Sequence, residues 1–371
     1  GPAPHPAADP GAGTVHGKPA VMPGLWGSHL GVIDLALERA NGRWAIAASR
    51  SEARPIAARD ENGAIKALTG EDQALAGLVA PAHAWTLGVT RREVAHSPVG
   101  LHSYFAPIGV DTAARAVMRA QAWAVRAAIR GTPQAGLPVL SAASAFKAGG
   151  RGGPDFFTDV APGPMTMRDL SDLYLYTDSV VALHVTGADL RGWLERAASV
   201  FNHVPPGARE VPLLDTDHPV YLLDAIDGLE YGIDLTAPPR FDVQGHVRDP
   251  DAWRVRALAF GGKPVEDADR FILACNSHRG LGGGRFPGSG AANLVIETVE
   301  PMRDTILRFV TAGGLGDLPC EPLFRLSAAP GSSVSFSSGP GARAHLGDVP
   351  FEGLAERGKG QDGFLRFELT F

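Results

Sequence analysis

The sequence predicts an α+β protein, with mixed sheets and helices packed against them. Two observations carry this reading. Strand-like and helix-like segments succeed one another without the strict alternation of a doubly wound sheet. Two apolar runs, Pro138–Ala145 and Arg270–Cys275, each lead into a glycine-rich loop, and a third such run, Ser179–Val185, leads into a helix. A chain of 371 residues, 44% of them apolar, suffices for two or three compact units with a sizeable core.

Taken in order, residues 1–16 are rich in Pro, Ala and Gly and read as a flexible lead-in. Residues 19–35 read as two short strands around a Gly-rich turn. A third strand is expected at Trp44–Ser49, after the turn signal Asn41-Gly42. Such a meander has too little apolar surface for its own core and reads as the edge of something larger. From Glu71 to about Val94 the spacing becomes helical, with Leu75, Leu78, Val79 and Ala82 on one face; Pro81 is expected to bend this helix or break it in two. Asp111 can cap a helix over Thr112–Arg130, closed by Gly131. Thr186-Gly187-Ala188-Asp189 resembles a capping box and starts a helix that turns Leu190, Trp193, Leu194 and Ala197 to one face. Further strands are expected at Tyr231–Leu235, Arg254–Phe260 and Asn293–Glu297, and a helix at Met302–Thr311. An amphipathic helix at Phe351–Arg357 and a strand at Phe364–Phe371 complete the pattern.

Composition excludes some functions. The net charge is −6 and no Lys/Arg block occurs, which argues against duplex nucleic acid as a partner. No apolar run approaches the roughly 20 residues of a membrane span. Cys275 and Cys320 are the only cysteines, too few for a disulfide scaffold or a Cys-rich zinc site. They could pair in an oxidising compartment, and the sequence leaves this open.

Several segments could carry chemistry. Lys147-Ala148-Gly149-Gly150-Arg151-Gly152-Gly153 and Gly280-Leu281-Gly282-Gly283-Gly284-Arg285 both follow strands. Glycine lets backbone N–H groups approach a ligand, and an arginine in each loop offers a fork for phosphate or sugar oxygens. Each loop is also readable as a plain turn. Tyr174-Leu175-Tyr176-Thr177-Asp178 offers either core packing or a stacking plate for a base, and His278 reads as a surface residue before the second loop. Asp215-Thr216-Asp217-His218 has ligand-type residues but reads as a solvated loop. Ser144-Ala145-Phe146-Lys147 matches S-x-x-K, yet the serine ends a strand where it would not meet the lysine.

Longer segments resemble a known family. GKPAVMPGLWGSHLGVIDL (17–35), EARPI (52–56), LPVLSAASAFKAGGRGG (137–153), TMRDLSDLYLY (166–176), VTGADLRGWLE (185–195) and ACNSHRGLGGGRFPG (274–288) are similar to the C-terminal part of bacterial periplasmic 2′,3′-cyclic-nucleotide 2′-phosphodiesterase/3′-nucleotidases, within the 5′-nucleotidase family. The resemblance implies that residues 17–57 are the last strands of a metallophosphoesterase domain, 58–95 a helical linker and 96–371 a nucleotide-binding domain. It implies a base held between two rings, Tyr176 and His278; close relatives have tyrosine at the second position. Asp178 stands where the family usually has asparagine, and a carboxylate only accepts hydrogen bonds where an amide also donates. Lys147, Gly149, Gly150, Arg151 and Asn276 would flank base and ribose, with Arg279, Gly282, Gly283 and Arg285 alongside. The implied partners are nucleosides, 3′- or 2′,3′-cyclic nucleotides and the chain's own N-terminal metallophosphoesterase domain, in the periplasm. The divalent metal pair and the catalytic groups would belong to that other domain, so no catalytic residue, metal ligand or cofactor is assigned here, and whether this chain alone is an enzyme stays open. Two alternatives are a stand-alone nucleoside-binding module and the matching half of a 5′-nucleotidase or UDP-sugar hydrolase.

Overall fold

A computed structural model describes residues 5–24, 27–60, 64–316, 318–319 and 321–371. They form two compact units, Gly1–Thr86 and Leu87–Phe371.

The first unit is built on a long two-stranded ribbon. His29–Ala40 pairs antiparallel with Arg43–Pro55, from His29↔Pro55 to Ala40↔Arg43. Asn41 and Gly42 join them with φ of +51° and +77°, the left-handed pair that a tight hairpin turn requires. The expected three-strand meander is therefore one hairpin with much longer arms. Leu35-Ala36-Leu37-Glu38 consists of helix-favouring residues, but the ladder to the facing arm satisfies its backbone and outweighs local preference. Ala8–Asp9 and Thr14–Val15, within the stretch read as a flexible lead-in, form a small antiparallel sheet with Lys18–Pro19 just beyond it.

The helix Gln73–Thr90 is capped by Asp72, whose Oδ1 accepts from the amides of Ala74 and Leu75 at 2.9 and 3.1 Å. Pro81 lies inside it and does not break it. The carbonyl that loses its donor belongs to Gly77, which is exposed and can bond to water. Leu75, Leu78 and Val79, the face expected to pack, are exposed.

The second unit centres on a five-stranded mixed sheet in the order Asp224–Asp227, Val139–Ser144, Arg270–Asn276, Ser179–Thr186, Leu294–Pro301. Val139–Ser144 runs parallel to Arg270–Asn276, and the other neighbours are antiparallel. Both faces are covered, which explains the unbroken apolar runs. From Ser179–Thr186, Val181, Leu183 and Val185 enter one core while Val180 and Ala182 enter the other. Leu190, Trp193, Leu194 and Ala197 of the helix Gly187–Ala198 fill the first core, and its capping box between Thr186 and Asp189 is formed. Ala116, Val117 and Ala120 of Thr112–Ala128 and Met302, Ile306 and Phe309 of Met302–Thr311 fill the second. Asp111 caps the former helix, accepting from Ala114 N at 2.7 Å.

Besides two two-stranded sheets, the unit also holds two four-stranded ones. One contains Glu230–Asp234 and Val255–Phe260; the other contains Ser333–Ser338, Leu365–Thr370 and Leu354–Lys359. The last strand corrects the amphipathic helix expected at Phe351–Arg357. Leu-Ala-Glu-Arg favours helix locally, but Leu354–Lys359 pairs antiparallel with Leu365–Thr370 and its Arg357 Nε bonds the buried Glu368 carboxylate at 2.7 Å. No helix among the described residues is long and apolar enough to cross a membrane.

Candidate functional site

Strand directions bring the predicted segments to one edge of the five-stranded sheet. Ser144 pairs with Asp224 and Val180 with Asn276, so the chain leaves Ser144 and Asn276, and enters Ser179 and Asp224, at the same end.

The segment before Ser179 has a buried hub, Tyr174. Its hydroxyl donates to Asp178 Oδ2 at 2.7 Å and accepts from Asn276 Nδ2 at 3.0 Å. Burial, reinforced by Asp178, raises its pKa. Asn276 Oδ1 accepts from Arg279 N at 2.8 Å and so caps the short helix Ser277–Gly280. Asn276 thus spends its oxygen and one of its two N–H donors on the scaffold and keeps one. Tyr176, by contrast, is 54% exposed. The Phe146 ring supports both tyrosines edge-on, 4.5 Å from Tyr174 and 6.2 Å from Tyr176. Of the two sequence readings, packing falls to Tyr174 and an available ring face to Tyr176.

His278 is exposed on the short helix. A Cβ on Gly283 would lie 2.5 Å from His278 Nε2, so Gly283 leaves room for the imidazole. Gly282, with φ +106° and open space around it, needs glycine for its backbone. Tyr176 and His278 make no ring contact with each other.

Arg279 is 5% exposed. It clamps the Asp224 carboxylate through Nε and Nη2, both at 2.9 Å, and donates to the carbonyls of Gly283 at 2.7 Å and Tyr221 at 2.8 Å. Trp193 Nε1 adds a third donor to Asp224 at 3.1 Å. Burial pushes the Asp224 carboxyl up, while the guanidinium and indole oppose it. Arg279 therefore positions the second glycine loop from beneath. Arg285 is exposed, and its Nη1 lies 2.7 Å from His246 Nε2.

In the first loop, Gly149 has φ +71° and a Cβ there would come 2.7 Å from the Phe157 ring. Gly150 and Arg151 stand exposed on the turn Gly150–Gly152. Lys147 pairs with Asp172, which turns it away from Ser144, so the S-x-x-K residues do not form a serine–lysine pair. Ser103 ties the loop to the core. Its hydroxyl donates to the Lys147 carbonyl and accepts from Thr158 N at 3.0 Å.

The remaining candidates lie elsewhere. His218 is buried against Asp215, Nδ1 to Oδ2 at 3.1 Å. Cys275 is a buried free thiol on the central strand, its pKa raised by burial; Cys320 lies outside the described residues. A cavity of about 540 Å³ lined by Arg119, Arg126, Arg130 and Asp227 opens at the other end of Val139–Ser144 and contains none of the predicted site residues. Sequence reasoning missed Tyr174 as the hub; the Tyr174–Asp178 spacing was its only local signal.

A mixed sheet with glycine-rich turns, an exposed ring and a capping amide at one edge makes this unit an α+β domain. The chain carries a 5′-nucleotidase C-terminal domain: residues 106–289 match the family described as "5'-nucleotidase, C-terminal domain". It is 37% identical over 309 residues to the 2',3'-cyclic-nucleotide 2'-phosphodiesterase/3'-nucleotidase of Salmonella typhimurium, covering 82% of this chain and 47% of that protein. It is 31% identical over 327 residues to the trifunctional nucleotide phosphoesterase protein YfkN of Bacillus subtilis, covering 88% and 22%. The chain thus spans about half the length, or less, of the curated relatives it matches. A Staphylococcus aureus structure described as a 5'-nucleotidase shares the fold at a TM-score of 0.59 and 16% identity, covering 85% of this chain and 54% of that one.

Proposed function

We propose that this chain binds nucleosides and 3′- or 2′,3′-cyclic nucleotides at the loop-bearing sheet edge, with the base between Tyr176 and His278. It would present them to a metallophosphoesterase domain for phosphoester hydrolysis in periplasmic nucleotide breakdown. The observation that carries this reading is the Tyr174–Asn276–Asp178 network, which fixes the exposed Tyr176 segment and the His278 turn to the same rigid edge. The names of the relatives support the substrate class. Asn276 keeps one donor for a ligand, Asp178 offers an acceptor, and Arg151 supplies charge near the surface.

The family implies a divalent metal pair that would polarise the phosphate and activate water. Among the described residues, three or more metal-ligating side chains gather only at His102, His345 and Asp348, enough for one ion. No residue of this chain is assigned to the pair, and no hydrolytic step is derived from it.

Base stacking contributes roughly 1–3 kcal/mol, or about 5- to 150-fold in affinity. Calorimetric titration with adenosine should show a loss of that size for Tyr176→Ala. Equal affinity for the variant and the parent chain would overturn the stacking assignment.

A further inference from the structure

The cluster His102, His345 and Asp348 lies outside the nucleotide-binding edge. His102 ends the strand Leu101–His102, which pairs with Asp159–Val160 in the register Asp159↔His102. His345 and Asp348 lie on the 3-10 helix Pro340–Asp348. One ligand atom from each residue lies within 4.8 Å of the others. Asp348 Oδ2 is 3.5 Å from His345 Nδ1 and 4.0 Å from His102 Nε2. The imidazole rings sit 4.2 Å apart.

A chain of hydrogen-bond partners holds the cluster in place. His345 Nε2 lies 3.0 Å from Asp159 Oδ1, and Asp159 Oδ2 accepts from the Tyr104 hydroxyl at 2.9 Å. The Asp159 contact orients the His345 ring and leaves Nδ1 facing the Asp348 carboxylate at 3.5 Å. His102 is 1% exposed. Its Nδ1 has no hydrogen-bond partner, and its Nε2 is beyond hydrogen-bond reach of Asp348. Two imidazole nitrogens and a carboxylate oxygen thus lie within 4.8 Å of one another, close enough to share one cation.

We propose that His102 Nε2, His345 Nδ1 and Asp348 Oδ2 bind one divalent transition-metal ion of the zinc type, with Asp159 as the carboxylate that orients His345. Bond lengths of about 2.0–2.1 Å place tetrahedral ligand atoms roughly 3.4 Å apart. The His345–Asp348 separation already meets this, and Asp348, exposed at the rim, can move toward His102. Two imidazoles and one carboxylate favour Zn²⁺ or Co²⁺ over Mg²⁺ or Ca²⁺, which prefer all-oxygen shells. The Tyr104–Asp159–His345 chain is the outer-shell support that metal-bound histidines usually have. The ion would fasten the Pro340–Asp348 helix to the strand beside Ser103, the residue that holds the Lys147 loop.

The test is calorimetric titration of the metal-stripped full chain with ZnCl₂ at neutral pH, followed by thermal unfolding with and without zinc. The expected result is one high-affinity Zn²⁺ per chain, a raised Tm, and no competition from equimolar Mg²⁺. His345→Ala and Asp348→Ala should each weaken binding at least tenfold, and Asp159→Asn by about 10- to 100-fold. Asp348→Ala changes an exposed side chain, so its metal-free Tm should match that of the parent chain. Absence of stoichiometric uptake would overturn the proposal. So would uptake that both ligand substitutions leave unchanged, which would place the zinc elsewhere, or displacement by equimolar Mg²⁺.

Discussion

Replacing Arg279 with methionine tests the scaffold beneath the second glycine loop. The substitution keeps an unbranched apolar stem and deletes two bonds to Asp224 and one each to Gly283 and Tyr221. Asp224 is then a buried carboxylate whose one remaining side-chain donor among those described is Trp193 Nε1. Removing one partner of a buried ion pair costs about 3–5 kcal/mol, because the other charge stays desolvated. Against a typical total of about 5–15 kcal/mol, that should be a large shift in the urea midpoint followed by circular dichroism. The deficit should depend on pH. Burial already raises the Asp224 carboxyl, and loss of the guanidinium raises it further. A carboxyl whose folded pKa exceeds its unfolded value contributes stability at low pH that disappears as pH rises through the folded value. Arg279→Met should therefore be closer to the parent at pH 5 than at pH 8, and adding Asp224→Asn should recover part of the loss. A loss below about 1 kcal/mol, or a deficit indifferent to both pH and Asp224→Asn, would refute this reasoning.

Tyr174→Phe removes the hydroxyl that joins Asp178 to Asn276. It should cost about 1–3 kcal/mol in urea unfolding and weaken adenosine binding in calorimetry, although Tyr174 itself is buried. Asp111, buried at its helix N-terminus, has its carboxyl pushed up to about 7 by burial, with the Ala114 amide opposing. The same sign rule means that its stabilising contribution disappears as pH rises from about 4 through 7. Asp111→Asn keeps an acceptor for Ala114 N and should flatten that part of the stability–pH profile.

The central sheet was legible because it is buried on both faces. Val180–Leu183 and Phe271–Cys275 are apolar at every position, and the helix after Ser179–Thr186 announces itself through Thr186, Asp189 and a consistent inner face. A second capping box, Thr166 with Asp169, has the same local signature and starts Met167–Leu173. Elements held by distant partners were not legible. Leu354–Lys359 has helix-forming residues and becomes a strand through the ladder to Leu365–Thr370. The arms of the His29–Pro55 hairpin are long because they pair with each other, and apolar alternation marks only part of them, such as Ile33, Leu35 and Leu37. In the candidate site, exposed Tyr176 and the capping Asn276 lie in motifs visible in the sequence. The hydroxyl of Tyr174 gains its meaning only when the sheet brings Asn276 alongside, and His102 meets His345 only through the fold.

The most direct test of the account is a crystal structure of the chain soaked with adenosine. Base density is expected between the Tyr176 and His278 rings, with Asn276 and Asp178 within hydrogen-bond reach of the nucleoside. Density in the arginine-lined cavity at the opposite end of Val139–Ser144, or a base that touches neither ring, would contradict it.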